Sequence, residues 1–339
     1  MLPASRKSAP FQLDGPRLLV VVDTEEEFDW SRPHSRSCTG VEHIRHQDRA
    51  QSILERYGIR PTYVVDYPVA SQEAAYRPLR EWLIDGKCLI GTHLHPWVNP
   101  PFEEEVSAWN SYAGNLPARL EREKLTRLTE VIATNFGGRP TVYRAGRYGI
   151  GPATGGILEE LGYEIDSSVV PFTDFHHDGG PDFSGFDAAP FWFGPSGGVL
   201  EIPLTVGWCG RLRTYAGALQ SRVLSDRSIR LHVPGVFARL RLLERIRLTP
   251  EGNSLAEMKR LTATLLRAGQ QLFVLSYHSP SVVPGNTPYV RDTTELQSFL
   301  GVIDQFCEYF FGICGGAPIS PHELRAEINR PGLPAGLAP

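Results

Sequence analysis

Five carboxylates, Asp23, Glu25, Glu26, Glu27 and Asp29, fall within seven residues, directly after the apolar run LLVVV at 18–22. Like charges at this spacing repel, and burying any one of them without a partner costs several kcal/mol or forces it to keep a proton. A second knot, GTHLHPW, places His93 and His95 around Leu94. In an extended chain residues i and i+2 project to the same side. Asp23 and Glu25 therefore face together, as do His93 and His95, while Glu26 faces away. Two imidazoles and a carboxylate form a set suited to a catalytic Zn²⁺ or a similar divalent ion, with a position left for water. A cation there also offsets the repulsion inside the acid cluster. Glu26, Glu27 and Asp29 fall where the chain leaves the strand, as solvated loop or as support behind the inward pair.

Further ionisable residues sit at the ends of apolar, β-branched runs: Arg144 in PTVYRAG, Asp166 in YEIDSSVV and His278 in LFVLSYHS. Strand candidates cover 17–25, 61–68, 88–95, 140–146, 163–170, 199–206 and 272–279. Helix-like stretches lie between them at 43–57, 72–85, 118–135, 152–161, 254–269 and 292–311, and Ser254 with Glu257 reads as a capping box. Strand–helix alternation implies an α/β fold with a parallel sheet. About seven such units fit a (β/α) barrel better than a short open sheet, and in barrels the chemistry gathers where the strands end.

Residues 17–315 read as one domain, with 1–16 as an N-terminal extension and 316–339 as a C-terminal tail whose closing RPGLPAGLAP has a disordered composition. Three stretches break the rhythm. Residues 98–117 and 171–198 are rich in aromatics, Gly and Pro, whereas 207–252 is basic and Leu/Arg-rich and suggests a helical insertion. Trp97, Phe102, Trp109, Tyr112, Phe191, Trp192 and Trp208 lie in or near these loops, either to stack on sugar rings or to close apolar lids. His176 and His177 are adjacent, so on a strand they point apart and do not suggest a second metal pair.

The formal net charge of −4 gives no global basic surface for nucleic acid. Five widely spaced cysteines with no CxxC pair argue against a disulfide framework and a thiolate zinc site. No run of about 18 apolar residues suggests a membrane span, and the first residues lack the apolar core of a signal peptide. The expectation is a cytoplasmic protein with no integral membrane segment.

The ordered motifs resemble the polysaccharide deacetylases, the NodB-homology group or carbohydrate esterase family 4, and within it the WalW-like branch. The resemblance covers about residues 17–310 and rests on VVDTEEEFDW, GTHLHPW, VYRAGRYGIG, IDSSVV and LSYHS. It implies an irregular seven-stranded (β/α)7 barrel and metal-assisted hydrolysis of an N-acetyl group on an amino sugar or glycan. One divalent ion is implied, Zn²⁺ foremost, with Co²⁺, Ni²⁺ or Mn²⁺ accepted by the same ligands.

By the same resemblance Asp23 is the base, Glu25, His93 and His95 are ligands, Arg144 holds Asp23, and His278 is the acid, oriented by Asp166. A backbone N–H near Tyr148 is implied as an oxyanion donor. Trp97, Tyr148, Trp208 and Tyr277 are the expected substrate contacts. Three features depart from the family pattern. Thr24 separates the two acids of the first motif, Trp97 stands where a histidine is expected, and Ser167 and Ser168 follow Asp166. Hydrolysis of another amide, of the formyl or cyclic-ureide type, and sugar binding without catalysis are the alternatives.

Overall fold

The computed structural model describes residues 6–217, 235, 237 and 239–328. Twelve strands are present among them: β1 (Lys7–Ser8), β2 (Arg17–Thr24), β3 (Thr62–Val65), β4 (Leu89–Leu94), β5 (Val142–Ala145), β6 (Ile165–Asp166), β7 (Phe191–Phe193), β8 (Val199–Glu201), β9 (Val206–Cys209), β10 (Glu244–Arg247), β11 (Leu272–His278) and β12 (Ala317–Pro318). The main sheet runs β1-β7-β8-β6-β5-β4-β3-β2-β11, with β12 also on β2. Within it β11, β2, β3, β4, β5, β6 and β8 are mutually parallel, and at one edge β7 runs antiparallel between β8 and β1. The fold is α/β, as the strand–helix alternation predicts.

The ladder does not close into a continuous ring, because β8 and β11 do not pair with each other. Irregular chain spans the gap instead. The backbone N–H of Val274 donates to Thr205 Oγ1 at 2.8 Å, that of Leu248 to the Thr205 carbonyl at 2.8 Å, and that of Ser276 to the Leu248 carbonyl at 3.3 Å. The expected strands 163–170 and 199–206 are accordingly short. After Asp166, Ser168 Oγ accepts from the Ala145 N–H and Ser167 Oγ donates to the Ile202 carbonyl, so side chains replace ladder bonds.

Eight helices are described: α1 (Asp48–Arg56), α2 (Tyr67–Ser71), α3 (Glu73–Ile84), α4 (Ala118–Phe136), α5 (Thr154–Leu161), α6 (Leu255–Arg267), α7 (Thr293–Glu308) and α8 (Pro321–Ile328). Local chemistry sets their ends. Asp66 caps α2, the Ser254–Glu257 capping box opens α6, Asp292 caps α7, and Gly137 and Gly162 end α4 and α5 in the left-handed conformation.

Strand alternation divides the core. Leu18, Val20, Val22, Tyr63, Val65 and Tyr143 face the helices. Leu19, Val21, Val64, Val142, Ile165, Leu200 and Val274 turn inward as a second cluster. Leu324 of α8 and Leu13 complete that inner cluster. The terminal segments therefore contribute to the domain: β1 pairs with β7, and residues 317–328 pack on the sheet and its inner cluster. The closing RPGLPAGLAP lies outside the described residues. So do residues 218–234, 236 and 238 of the insertion expected at 207–252, whose described parts form the antiparallel β9–β10 pair. No helix among the described residues is long and apolar enough to cross a membrane.

Leu324 is fully buried. Leu324→Ala should lower stability by about 2–4 kcal/mol, read as a lower urea midpoint. An unchanged midpoint would remove α8 from the barrel floor.

Candidate active site

The inward face that carries Leu19 and Val21 continues to Asp23, and the one that carries Val142 continues to Arg144. His93 follows Gly91 on β4, and Ser276 and His278 follow Val274 on β11. Period two thus stacks a polar layer directly on the inner apolar cluster, at the carboxyl ends of the strands. The register places Asp23 beside His278 and His93 beside Arg144.

Asp23 and Arg144 are both buried, with Arg144 Nη1 donating to Asp23 Oδ1 at 2.5 Å. Two further bonds fix the guanidinium, from Nε to the Ser167 carbonyl at 2.7 Å and from Nη2 to Ser167 Oγ at 2.9 Å. Burial alone would raise the Asp23 pKa. The positive field of Arg144 first, with His278 and Arg247 adding to it, outweighs burial and holds the carboxyl well below the usual range.

Glu25, His93 and His95 come together as the sequence spacing suggests. His93 Nδ1–H donates to the Arg144 carbonyl at 3.0 Å, and His95 Nδ1–H donates to Glu26 Oε2 at 2.7 Å. Each bond fixes the tautomer and leaves Nε2 as a lone pair. Both Nε2 atoms face Glu25 Oε2, at 3.5 and 3.4 Å. Burial lowers the two imidazoles to about 3 and about 4, so both are neutral at ordinary pH. Burial, then the charges of Glu26, Asp23, Asp66 and Glu251, pushes Glu25 well above the carboxylate range.

Two lone pairs and a carboxylate oxygen therefore converge at separations longer than normal hydrogen bonds, and Glu25 Oε1 is buried with no partner. A proton bridges one such gap at most. A divalent cation fits all three donors, which are borderline nitrogen and hard oxygen ligands.

Glu26 is fully buried, not a solvated loop residue. It accepts from His95, from Trp97 Nε1–H at 2.7 Å, and its own N–H donates to Asp66 Oδ2 at 2.6 Å. Trp97, at the position where a histidine was expected, stacks on His95 with ring centroids 4.2 Å apart. Gly146 passes so close that a Cβ there would lie 2.3 Å from His95 Cδ2. Glu27 holds His43, whose Nε2 lies 2.7 Å from Ser279 Oγ, and Asp29 remains on the surface with Ser31.

His278 has a different orienting partner from the one expected. Its Nδ1–H donates to Glu251 Oε2 at 2.7 Å and its backbone N–H to Glu251 Oε1 at 3.1 Å, while Nε2 lies 3.8 Å from Asp23 Oδ2. Asp166 does not reach it. Asp166 shares register with Tyr143 and Glu201, so strand alternation turns it toward the helix side, where Ser168 Oγ–H donates to Oδ1 at 2.5 Å. Burial would lower the His278 pKa, but the adjacent Glu251 charge outweighs that and raises it.

Asp23, Glu25, His93, His95 and His278 line a cavity of about 370 Å³. Its walls add Phe28, Trp30, His34, Trp97, Tyr112, Tyr148, Phe175, Arg247 and Tyr289. Tyr148 reaches it from a backbone at φ 61°, next to Arg147 at φ 53°, a conformation kept only where the surroundings impose it. Trp30 meets His278 edge-on at 5.0 Å and Tyr289 stacks on it at 6.4 Å. Of the expected substrate contacts, Trp97 and Tyr148 line the cavity and two do not. Tyr277 alternates away from His278 and packs on Phe299, and Trp208 joins a separate small cluster with Ala216 and Leu243. His176 and His177 sit on an exposed turn.

No family model and no curated protein matches this sequence. Solved structures do. One is a "putative polysaccharide deacetylase" from Mycobacterium smegmatis, 17% identical with a TM-score of 0.51, the match covering 98% of this chain and 100% of that one. Another is the 4-alpha-glucanotransferase from Thermococcus litoralis, 12% identical with a TM-score of 0.52, covering 93% of this chain and 40% of that one. The chain shares their fold. A deacetylase and a glucanotransferase share this fold, so function has to be argued from the site.

Replacing Glu251 by Gln removes the charge that raises His278. The His278 titration followed by NMR should move to lower pH than in the parent protein. An unmoved titration would mean that Glu251 does not set the charge of this imidazole.

Proposed function

We propose that the protein is a metal-dependent hydrolase of the polysaccharide deacetylase family, of the WalW-like branch, that removes an N-acetyl group from an amino sugar or glycan. The observation that carries this reading is the pairing of two proton-handling groups beside one cation site. Asp23, held ionised by Arg144, and His278, held toward its imidazolium form by Glu251, stand 3.8 Å apart at the mouth of the Glu25–His93–His95 cluster. The fold shared with the M. smegmatis protein and the order of the five motifs support it.

Glu25, His93 and His95 would hold the ion, with Glu26 fixing His95 from behind. When bound, a divalent cation such as Zn²⁺, Co²⁺, Ni²⁺ or Mn²⁺ supplies Lewis acidity for the amide carbonyl and for water. Asp23 takes a proton from the attacking water as the new C–O bond forms. Arg144 keeps that carboxylate charged and aimed until the proton arrives. His278 Nε2–H gives its proton to the nitrogen as the C–N bond breaks, so that a neutral amine leaves. Asp23 then holds a proton and His278 lacks one, and their proximity lets the proton return and reset the pair. Trp30 and Tyr289 enclose the imidazole and limit its contact with water, while Trp97, Tyr148 and Phe175 offer flat faces to a sugar ring.

The test is acetate release from a panel of N-acetylated sugars and sugar nucleotides by the metal-loaded protein. Asp23→Asn and His278→Ala should each lower the rate by about 10²–10⁴-fold. Full activity in Asp23→Asn would overturn its role as base. Formate in place of acetate would reassign the acyl group. Sugar binding without turnover in a fully metallated sample would overturn the hydrolase reading.

A further inference from the structure

Most of the charged side chains that line the cavity have an ion-pair partner, and one cation does not. Asp23 is taken by Arg144, Asp178 lies 3.8 Å from Arg147, and Arg32 reaches Asp29 at 3.0 Å. Glu25 faces the two histidines, and behind the wall Glu251 is taken by His278. Arg247, the last residue of β10, forms no ion pair among the described residues. Its Nη2 donates to Ser276 Oγ at 3.0 Å and to the Tyr148 hydroxyl, its guanidinium lies 4.9 Å over the Tyr148 ring, and its Nε is buried with no hydrogen-bond partner.

Arg247 is half-buried, and the cost of burial to its charge is outweighed by the neighbouring Tyr148, Asp23 and Glu251. Its hydrogen bonds go only to hydroxyls, which leaves donor capacity that an anion can meet. Its backbone position makes this more than a stray surface arginine. Arg247 is placed by the β9–β10 pair, where it stands opposite Val206, and the next residue, Leu248, accepts from the Ser276 N–H where the barrel is bridged. The side chain is thereby carried to the cavity wall beside Ser276, which precedes His278 on the same inward face of β11. The cavity of about 370 Å³ has room for one ring and its substituents.

We propose that Arg247 is an anion-recognition residue and that the compound held in this cavity carries a carboxylate or phosphate within reach of the reacting amide. The substrate class is then an acidic N-acylated sugar rather than a neutral one. This rests on the hydrolase reading for the amide but not for the anion. The guanidinium presents parallel N–H donors that match either a carboxylate or a phosphate. The anion can belong to the sugar, as a uronic acid or sugar phosphate, or to the acyl group, as the free carboxyl of a dicarboxylic amide.

Calorimetric titration of the metal-loaded protein separates these sources. The ligands are N-acetylglucosamine, its 1-phosphate and 6-phosphate, N-acetylglucosaminuronic acid and N-malonylglucosamine. At least one anionic ligand should bind about 10- to 100-fold more tightly than the neutral sugar, the worth of a charge-assisted hydrogen-bond pair. Arg247→Met should abolish that preference and Arg247→Lys should keep part of it. Matching melting temperatures for the three proteins would show that the fold is intact. A preference on the phosphates or the uronic acid places the anion on the sugar, and a preference on the malonyl amide places it on the acyl group. Equal affinity for neutral and anionic ligands in the parent protein, or a preference that survives Arg247→Met, overturns the proposal. Acetate and malonate release measured in the same samples keeps the two ideas apart. Arg247-dependent anion binding without cleavage supports the anion site and counts against the hydrolase.

Discussion

Crowded negative charge at the carboxyl end of the barrel governs this structure. Asp23, Glu25, Glu26, Asp66 and Glu251 are all buried, and each must find a partner or keep a proton. Arg144 answers Asp23, His278 and Ser281 answer Glu251, and His95 and Trp97 answer Glu26. Asp66 accepts from the Val69 N–H at 2.8 Å as it caps α2 and from the Glu26 N–H, while burial and the neighbouring Glu26 push its carboxyl well above the usual range. Glu25 alone is left facing two neutral imidazoles. The loops, caps and close glycine approach around it hold those acceptors in place without supplying a positive charge of their own.

Where a residue's role followed from strand alternation, the sequence was a good guide. Asp23 with Glu25 and His93 with His95 were legible because an apolar run marked each strand and period two picked out the inward residues. The same rule, applied through the observed register, turns Asp166 outward with Tyr143 and Tyr277 into the core, although both lie in motifs that suggested a role. Glu251 and Arg247 were not legible. They lie at the end of a basic, Leu/Arg-rich stretch with no periodic signal, and Arg247 reaches the cavity wall and Glu251 the back of His278 only because β10 pairs with β9 and bridges the open side of the ladder. Glu26 was read as facing away from the inward pair, which it does. Its burial behind His95 depends on the packing of β4 and the loop after it, which a single strand pattern does not encode.

The α/β arrangement was legible in the alternation of elements, and so was the position of most helices. The broken closure between β8 and β11 was not, because it depends on Thr205, Leu248 and two serines replacing regular ladder bonds. That irregularity has a functional side. An unbroken ladder between β8 and β11 would leave no place there for the segment that brings in Arg247 and Glu251. The fold it shares with a "putative polysaccharide deacetylase" and a 4-alpha-glucanotransferase offers a common set of strand ends, and the residues at those ends distinguish this chain's chemistry.

The central claim is that Glu25, His93 and His95 form a cation site closed from behind by Glu26 and the Arg144 carbonyl. X-ray absorption spectroscopy of the zinc-loaded protein reads it most directly. The expected spectrum has two imidazole ligands with oxygen and no sulfur, with one imidazole lost in His93→Ala and weaker zinc retention in Glu26→Gln. A sulfur-ligated ion, or a spectrum and zinc content unchanged in both Glu25→Ala and His93→Ala, would contradict it.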